Sequence, residues 1–211
     1  MTRRVLTPDF REETTRVEAF SDAVFSIAMT LLILEIRTPE HLEAGHLLQA
    51  LLDLWPSYLA FLTSFFTIGV MWINHHRLFN LIGKTDQGLL ITNGLLLAGI
   101  TFVPFPTALL ARNLLDPDSR TAAVFYNAVY VLIAIAFNLL WRHARAHKGM
   151  LLEPDADPDS IIAITKQYRF GPLFYLVLIG VAWYSAVLSL VLNLLLAVFF
   201  ALPPSWLQRR R

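Results

Sequence analysis

The chain has 211 residues, of which 56% are hydrophobic and 16% charged, against about 45–50% apolar and about 25% charged residues in a typical soluble domain. Its formal net charge of +1 gives no electrostatic basis for binding nucleic acid, and we expect no nucleic-acid partner. It contains no cysteine, which excludes disulfides, thiolate metal sites and a cysteine nucleophile. Because the hydrophobic fraction is high and the charged fraction is low, we expect lipid to be the solvent around much of the folded chain.

The lengths of the hydrophobic runs predict six membrane-spanning helices. A span needs about 20 mainly apolar residues, because the hydrocarbon core of a bilayer is about 30 Å thick. The first candidate, residues 16–36, has an uncharged centre and charged ends. Three runs without Asp, Glu, Lys or Arg follow it: 54–73, 88–111 and 121–141. The uncharged run 170–208 is too long for one span, and we divide it near residues 182–185 into a hairpin of two helices.

The predicted architecture is a single all-α integral-membrane domain over residues 1–211. The fifth helix is expected to begin at Asp157-Pro158, where a capping residue precedes a proline in the first turn. The approximate spans are 16–36, 50–74, 87–111, 121–143, 159–181 and 184–203.

Charge distribution sets the expected orientation in the membrane. Six spans place both termini on the same side. With that side in the cytoplasm, 14 of the 17 Lys and Arg residues lie in inner segments, as the positive-inside rule requires. We therefore predict a multi-pass protein with both termini cytoplasmic.

The first predicted helix is the least typical span, since it contains Glu18, Asp22 and Glu35. Charge within a membrane helix is costly and usually faces a bundle interior or a water-filled path. Four of its residues recur at i, i+3, i+4 and i+7, which places them on one face. This first-helix stripe consists of Ile27, Thr30, Leu31 and Leu34. Periodicity alone favours packing of the stripe against other helices of the subunit, and the lining of a pore is the alternative.

Several short motifs carry a resemblance to a known family. They are Arg16-x-x-x-Phe20-Ser21-Asp22 at the inner end of the first span, Trp72-x-x-His75-His76 followed by Leu78-Phe79 in the second, and Asn93 and Pro104-Phe105-Pro106-Thr107 in the third. This set resembles the transmembrane protein 175 family, which comprises potassium-permeable channels of prokaryotes, endosomes and lysosomes. The resemblance extends over most of the chain and is weakest after Gly149.

The resemblance implies both an assembly and a function. Prokaryotic members resemble this chain in having one six-helix unit per subunit. In these members four subunits surround a central pore, and the first helix of each subunit lines it. We therefore expect a homotetramer in a prokaryotic cytoplasmic membrane that conducts potassium and other monovalent cations and needs no cofactor. Ile27, Leu31 and Leu34 would form hydrophobic rings that gate and filter, with Thr30 offering oxygens to the permeant K⁺. Such rings predict only a modest preference for potassium over sodium.

A second set of residues is expected to support the pore. Unpaired polar groups are expensive at membrane depth, so Arg16, Ser21 and Asp22 require partners. In the family, the Phe-Ser-Asp motif joins the inner ends of the helices. The predicted network consists of Arg16, Phe20, Ser21, Asp22, Trp72, His75 and Asn93. The alternative is a proton or cation site at Asp22 and His75. Glu35 either contributes to a carboxylate ring at the pore mouth or pairs with Arg37 or a neighbouring subunit.

Other classes of protein fit the sequence less well. His75 and His76 are adjacent on a helix and point about 100° apart, so they do not converge on a metal ion. The sequence has no His-Glu-x-x-His motif, catalytic triad or glycine-rich phosphate loop, and we predict neither a metal site nor an enzyme. Pro104 and Pro106 should break the third span, and broken helices mark substrate sites in carriers. A secondary cation- or proton-coupled transporter is therefore the main rival, and a non-conducting scaffold is a lesser one.

Overall fold

The computed structural model describes residues 10–39, 45–149 and 151–201. Regular structure in these residues is helical apart from an isolated β-bridge between Ile82 and Leu152, which confirms the predicted all-α class. The helices are α1 (Phe10–Leu31) with a following 3₁₀ turn (Leu32–Glu35), α2 (Leu47–Asp53), α3 (Trp55–Phe79), α4 (Gln87–Phe102), α5 (Pro104–Asn113), α6 (Ser119–Gly149), α7 (Pro158–Tyr184) and α8 (Ala186–Ala201).

Four helical segments of the described residues are long and apolar enough to cross a membrane. They are Glu12–Glu35, Trp55–Phe79, Gln87–Asn113 and Ser119–Ala146. Helix α7 falls short of this standard because Lys166, Gln167 and Arg169 make its first half polar. Helix α8 falls short because it has only 16 residues, although none of them is charged.

The ends of the first helix differ from the sequence prediction. Helix α1 begins at Phe10 rather than at Arg16, and its α-helical part ends at Leu31. The next residues form a 3₁₀ turn, and Ile36 is already extended. A 3₁₀ turn has three residues per turn, so the side chains at i and i+3 lie directly above one another. Leu34 therefore lies directly beyond Leu31 along the helix axis.

The predicted third span is interrupted where its two prolines lie. Helix α4 ends at Phe102 and α5 begins at Pro104, with Val103 between them. Pro104 and Pro106 have no N–H, so the carbonyl groups four residues earlier lose their helical donors. The Ile100 carbonyl accepts instead from the backbone N–H of Val103 at 3.2 Å, in a tighter i+3 bond.

A further proline shapes the packing of α6 against α7. Pro172 lies inside α7 and cannot donate to the carbonyl of Tyr168. The side chain of Asn138 on α6 donates to that carbonyl instead, with 2.8 Å between Nδ2 and O. A side chain of the neighbouring helix thus satisfies the buried carbonyl that the proline leaves free, and joins the two helices at that level.

The arrangement of the helices leaves α1 at the edge of the subunit. Helix α6 packs against α4, α5, α7 and α8, and α3 packs against α1, α5 and α8. Helix α1 packs mainly against α3 and α4. In its most apolar stretch 22% of the residues are buried, against 56% in each of the segments Gln87–Asn113 and Ser119–Ala146. One face of α1 is therefore uncovered within the subunit.

Candidate ion pathway and its supporting network

Helix α1 has a buried face and an exposed face. Phe25, Ala28 and Leu32 are at most 1% exposed and pack into the subunit core. The first-helix stripe lies on the other side: Ile27 is 56% exposed, Leu31 39% and Leu34 70%, and Thr30 is also exposed. The stripe therefore does not pack into the core of its own subunit and is accessible to a partner subunit, to lipid or to water.

Thr30 provides the polar group of the exposed stripe. Its hydroxyl donates to the carbonyl of Ile27, one turn earlier in the same helix, at 2.9 Å. A hydroxyl has one proton and two lone pairs, so this bond uses the proton and leaves oxygen lone pairs to accept or to coordinate. The geometry of Thr30 thus suits a ligand that needs an electron-pair donor.

A buried chain of hydrogen bonds connects α1, α3 and α4. Asn93 donates through Nδ2 to the hydroxyl oxygen of Ser21 at 2.9 Å, and Ser21 donates to the carbonyl of Val17 at 2.8 Å. The Oδ1 atom of Asn93 lies 2.9 Å from Nε2 of His75. Because this oxygen can only accept, Nε2 of His75 carries a proton and donates. Ser21, His75 and Asn93 are all at most 3% exposed, so water does not compete for these bonds.

The His75 ring is enclosed by aromatic side chains. Its centroid lies 4.4 Å from that of Phe79 in a stacked arrangement and 5.3 Å from that of Phe25. Its second nitrogen, Nδ1, is buried and has no hydrogen-bond partner among the described residues. A proton placed there would be a buried donor without an acceptor, which costs about 1–3 kcal/mol. The geometry therefore suits a structural role for His75 better than proton transfer.

Two carboxylates of α1 form a second, more exposed contact with α3. The indole Nε1 of Trp72 donates to Oδ1 of Asp22 at 2.8 Å, and Nδ1 of His76 lies 2.7 Å from Oε1 of Glu18. The rings of Trp72 and His76 stack with centroids 6.4 Å apart. Sequence reasoning missed Glu18 and His76. The spacing in the sequence was an available signal. Glu18 and Asp22 lie four residues apart on α1, and Trp72 and His76 lie four residues apart on α3, so each helix presents its two residues on one face.

Arg16 and Phe20 differ from the other predicted network residues. Both are exposed, and neither makes a hydrogen bond, ion pair or ring contact with the described residues. They line a groove between α1 and α4, next to Asn93 and Leu90. Five of the seven predicted network residues therefore contact one another, in two groups, and two remain beside the groove.

Glu35 lies at the C-terminal end of the exposed stripe and is paired with a residue of another helix. Its carboxylate lies 3.7 Å from Nη2 of Arg112 on α5, a partner that the sequence analysis did not name. The described residues contain no group of three or more His, Cys, Asp or Glu side chains that could hold a metal ion.

Comparison with known proteins identifies the family. The sequence profile of the endosomal/lysosomal potassium channel TMEM175 matches residues 16–104. A potassium channel of Chamaesiphon minutus is 54% identical over 91% of this chain and 95% of its own length. The chain belongs to the TMEM175 family. The resemblance seen in the sequence motifs is thereby confirmed, and the family is described as an ion channel rather than an enzyme.

Further relatives of the TMEM175 family cover nearly the whole chain. A potassium channel of Streptomyces collinus is 43% identical over 89% of this chain and 91% of its own length. The crystal structure of a lysosomal potassium-selective channel TMEM175 homolog from Chamaesiphon minutus superimposes with a TM-score of 0.83 at 51% identity, and covers 92% of this chain and 98% of that one. The profile match of residues 16–104 contains every candidate site residue, from Arg16 to Asn93.

Proposed function

We propose that this protein is a potassium channel of a bacterial cytoplasmic membrane, with a central pore lined by α1 of four identical subunits. The names of the two bacterial relatives support potassium conduction. The observation that carries the proposal is the exposed stripe on α1. The exposed Arg16 and Thr30 make this helix a poor surface for lipid, so its open face is better placed against water and other copies of the chain.

The proposed topology has six spans: α1, α3, the broken pair α4 and α5, α6, α7 and α8. Both termini are cytoplasmic in this arrangement. It is supported by the excess of basic residues in the inner segments. The short helix α2 then lies on the outer side, before α3.

In the proposed pore, Ile27, Leu31 and Leu34 form successive apolar rings. Apolar constrictions gate ions by losing their water, and four leucine side chains at one level form such a constriction. Thr30 supplies hydroxyl oxygens between the rings. Branched apolar rings do not replace a hydration shell as a cage of carbonyls does, so we expect conduction of K⁺ with a modest preference over Na⁺.

The network on the other face of α1 has a supporting role in this proposal. The chain from Ser21 through Asn93 to His75 fixes the inner half of α1 against α3 and α4. Asp22 with Trp72, and Glu18 with His76, add a second attachment to α3. Glu35 is held near the outer mouth by Arg112, whose positive charge offsets that of the carboxylate.

The test is current through the purified protein in a planar bilayer, with K⁺ on one side and Na⁺ on the other. We expect unitary currents with a reversal potential shifted toward K⁺, and changed conductance or selectivity in Leu34→Ala and Ile27→Ala. Leu195→Ala is the matched control, because Leu195 is a leucine on α8 that is 58% exposed, against 70% for Leu34 and 56% for Ile27. Currents that respond to Leu195→Ala as much as to Leu34→Ala would place the pore elsewhere.

A secondary transporter, the main alternative to a channel, would give a different electrical recording. A carrier moves ions slowly and saturably, so it shows no unitary currents and its flux reaches a plateau as K⁺ concentration rises. Ohmic unitary currents exclude this reading. The kinship with proteins named potassium channels favours the channel.

A further inference from the structure

The short helix α2 (Leu47–Asp53) is a separate segment that directly precedes the long helix α3. A single residue, Leu54, lies between them, and its φ of −76° and ψ of 5° lie outside the α-helical region. The predicted second span, residues 50–74, therefore does not begin as one continuous helix. Its first residues belong to α2, which has a surface of its own to cover.

One side of α2 consists of leucine side chains. We call it the leucine face; its members are Leu47, Leu48, Leu51 and Leu52. At about 100° per residue, these four side chains fall within an arc of about 140° around the helix. Each of them is between 40% and 70% exposed, so the described residues leave the leucine face uncovered.

The opposite side of α2 is polar. Gln49 and Asp53 lie about 130° and about 170° from the centre of the leucine face, at 100° per residue. Their side chains are joined by a hydrogen bond of 2.8 Å from Nε2 to Oδ1, and both are exposed. Ala50, which is half-buried, lies on a third side, between Asp53 and Leu47. Helix α2 is thus amphipathic over its two turns.

The C-terminal end of α2 lies at a level of charged side chains. Asp53 lines an open cleft together with Glu35, Arg37, Arg112 and Asp116, and Glu35 pairs with Arg112 there. So many charges in one place are too costly for the hydrocarbon core of a bilayer. This level of the subunit is therefore at the boundary between membrane and water.

Helix α3 gives independent support for this level. Its 25 residues extend over about 37 Å, whereas the hydrocarbon core is about 30 Å thick, so the ends of α3 reach the interface. Trp55, its first residue, is exposed, and tryptophan is enriched at the interface because its ring is amphipathic. Helix α2, which ends two residues before Trp55, begins and ends in the same zone.

We propose that α2 lies in the plane of the outer membrane interface, with the leucine face against lipid acyl chains. Gln49 and Asp53 then face water, on the opposite side of the helix. Amphipathic helices in this position bury their apolar face about 5–10 Å into the boundary between headgroups and acyl chains. Because only Leu54 separates α2 from α3, this attachment fixes the depth of that end of α3. The assignment to the outer side rests on the proposed topology, whereas the lipid contact does not depend on conduction.

Spin labels on single cysteines test the proposal. The native chain has no cysteine, so Leu48→Cys, Leu52→Cys, Gln49→Cys and Asp53→Cys each give one labelled position in the full-length protein. The labelled proteins are reconstituted in vesicles of phosphatidylcholine and phosphatidylglycerol in equal parts. Power saturation then compares collision with oxygen, which concentrates in hydrocarbon, and with a water-soluble nickel chelate. We expect the two leucine-face labels to lie about 10 Å deeper than the two polar-face labels, since a helix is about that wide.

Two controls accompany these measurements. Val177→Cys is the reference for lipid, because Val177 is exposed on α7, a helix that does not pack against α1. A label at Leu52→Cys is also measured in the background of Leu47→Ser/Leu48→Ser, which removes half of the leucine face. We expect its collision with oxygen to fall, whereas the background Gln49→Ser should leave it unchanged.

Three outcomes overturn the proposal. If all four labels of α2 collide equally with the nickel chelate, the helix lies in water. If the leucine-face labels collide with neither reagent, protein covers that face, and a neighbouring subunit is its partner instead of lipid. Equal effects of Leu47→Ser/Leu48→Ser and Gln49→Ser would show that the leucines do not hold the helix at its depth. Potassium current, recorded separately, tells a failure of this proposal from a failure of the proposed channel function.

Discussion

Removal of the Asn93 side chain tests whether the buried chain attaches α1 to the rest of the subunit. Asn93→Ala deletes two hydrogen bonds of 2.9 Å, to His75 and to Ser21. Ser21 keeps its hydrogen bond to the carbonyl of Val17, so the loss of the bond from Asn93 costs little at Ser21. The Nε2–H of His75 becomes a buried donor without an acceptor, at a cost of about 1–3 kcal/mol. We expect Asn93→Ala to lower the free energy of unfolding by about 2–3 kcal/mol.

The assay is equilibrium unfolding in mixed detergent micelles, followed by tryptophan fluorescence. Thr92→Val is the control: Thr92 is the adjacent residue, and its hydroxyl donates only to Gly88 and Leu89 carbonyls of the same helix. We expect a change below about 0.5 kcal/mol for it. A double-mutant cycle with Ser21→Ala then isolates the bond between the side chains of Asn93 and Ser21. Its coupling energy should be about 0.6 kcal/mol, and below about 1.7 kcal/mol, as for other hydrogen bonds between membrane helices.

Two results would refute this reasoning. If Asn93→Ala costs no more than Thr92→Val, the buried chain does not stabilise the subunit. If the effects of Ser21→Ala and Asn93→Ala are strictly additive, the two side chains are not coupled and the contact has no energetic consequence.

Two further predictions concern other positions. Thr30→Val should lower K⁺ conductance and the preference for K⁺ over Na⁺ in single-channel recordings while leaving unfolding unchanged, because the Thr30 hydroxyl bonds only within α1; unaltered currents would remove Thr30 from the pathway. Gly88→Ala should destabilise the protein by about 1–3 kcal/mol, because its Cβ would clash with the imidazole ring of His143. Gly94→Ala, with open space around Gly94, is the control in the same thermal unfolding assay, and equal melting temperatures would contradict the prediction.

Features set by local sequence were predictable. Uncharged runs indicated the apolar helices, and the two prolines after Val103 indicated the break between α4 and α5. Asp157 was expected to cap α7, and its carboxylate does accept from the backbone N–H groups of Asp159 and Ser160. Each of these follows from the chemistry of a few neighbouring residues, so no knowledge of the tertiary structure is needed.

Features that depend on how two helices are rotated against each other were not predictable. Sequence reasoning grouped Trp72 with His75, whereas the structure turns Trp72 and His76 toward the carboxylates of α1 and His75 toward Asn93. A difference of about 100° between successive residues decides such pairings. Periodicity gives the spacing of side chains on one helix and leaves its orientation toward the next helix undetermined.

The ion pair of Glu35 and the 3₁₀ turn belong to the same class. Arg112 lies far from Glu35 in the sequence, and only the packing of α5 brings the two within 3.7 Å. The Leu-Ile-Leu-Glu sequence of the turn contains good α-helix formers and no glycine or proline, so helix propensity predicts a continuous α-helix there.

The 3₁₀ turn also alters how the C-terminal end of α1 presents its side chains. An α-helix advances about 100° and 1.5 Å per residue, whereas a 3₁₀ helix advances about 120° and 2.0 Å. Over three residues, Leu34 is therefore turned by about 60° and lies about 1.5 Å farther out than a continuous α-helix would place it. In the proposed tetramer each Leu34 side chain therefore lies directly above the Leu31 side chain of the same subunit along the helix axis. Conversion of this single turn to α-helix would rotate the Leu34 ring by about 60° relative to the Leu31 ring, while the rest of α1 stays in place.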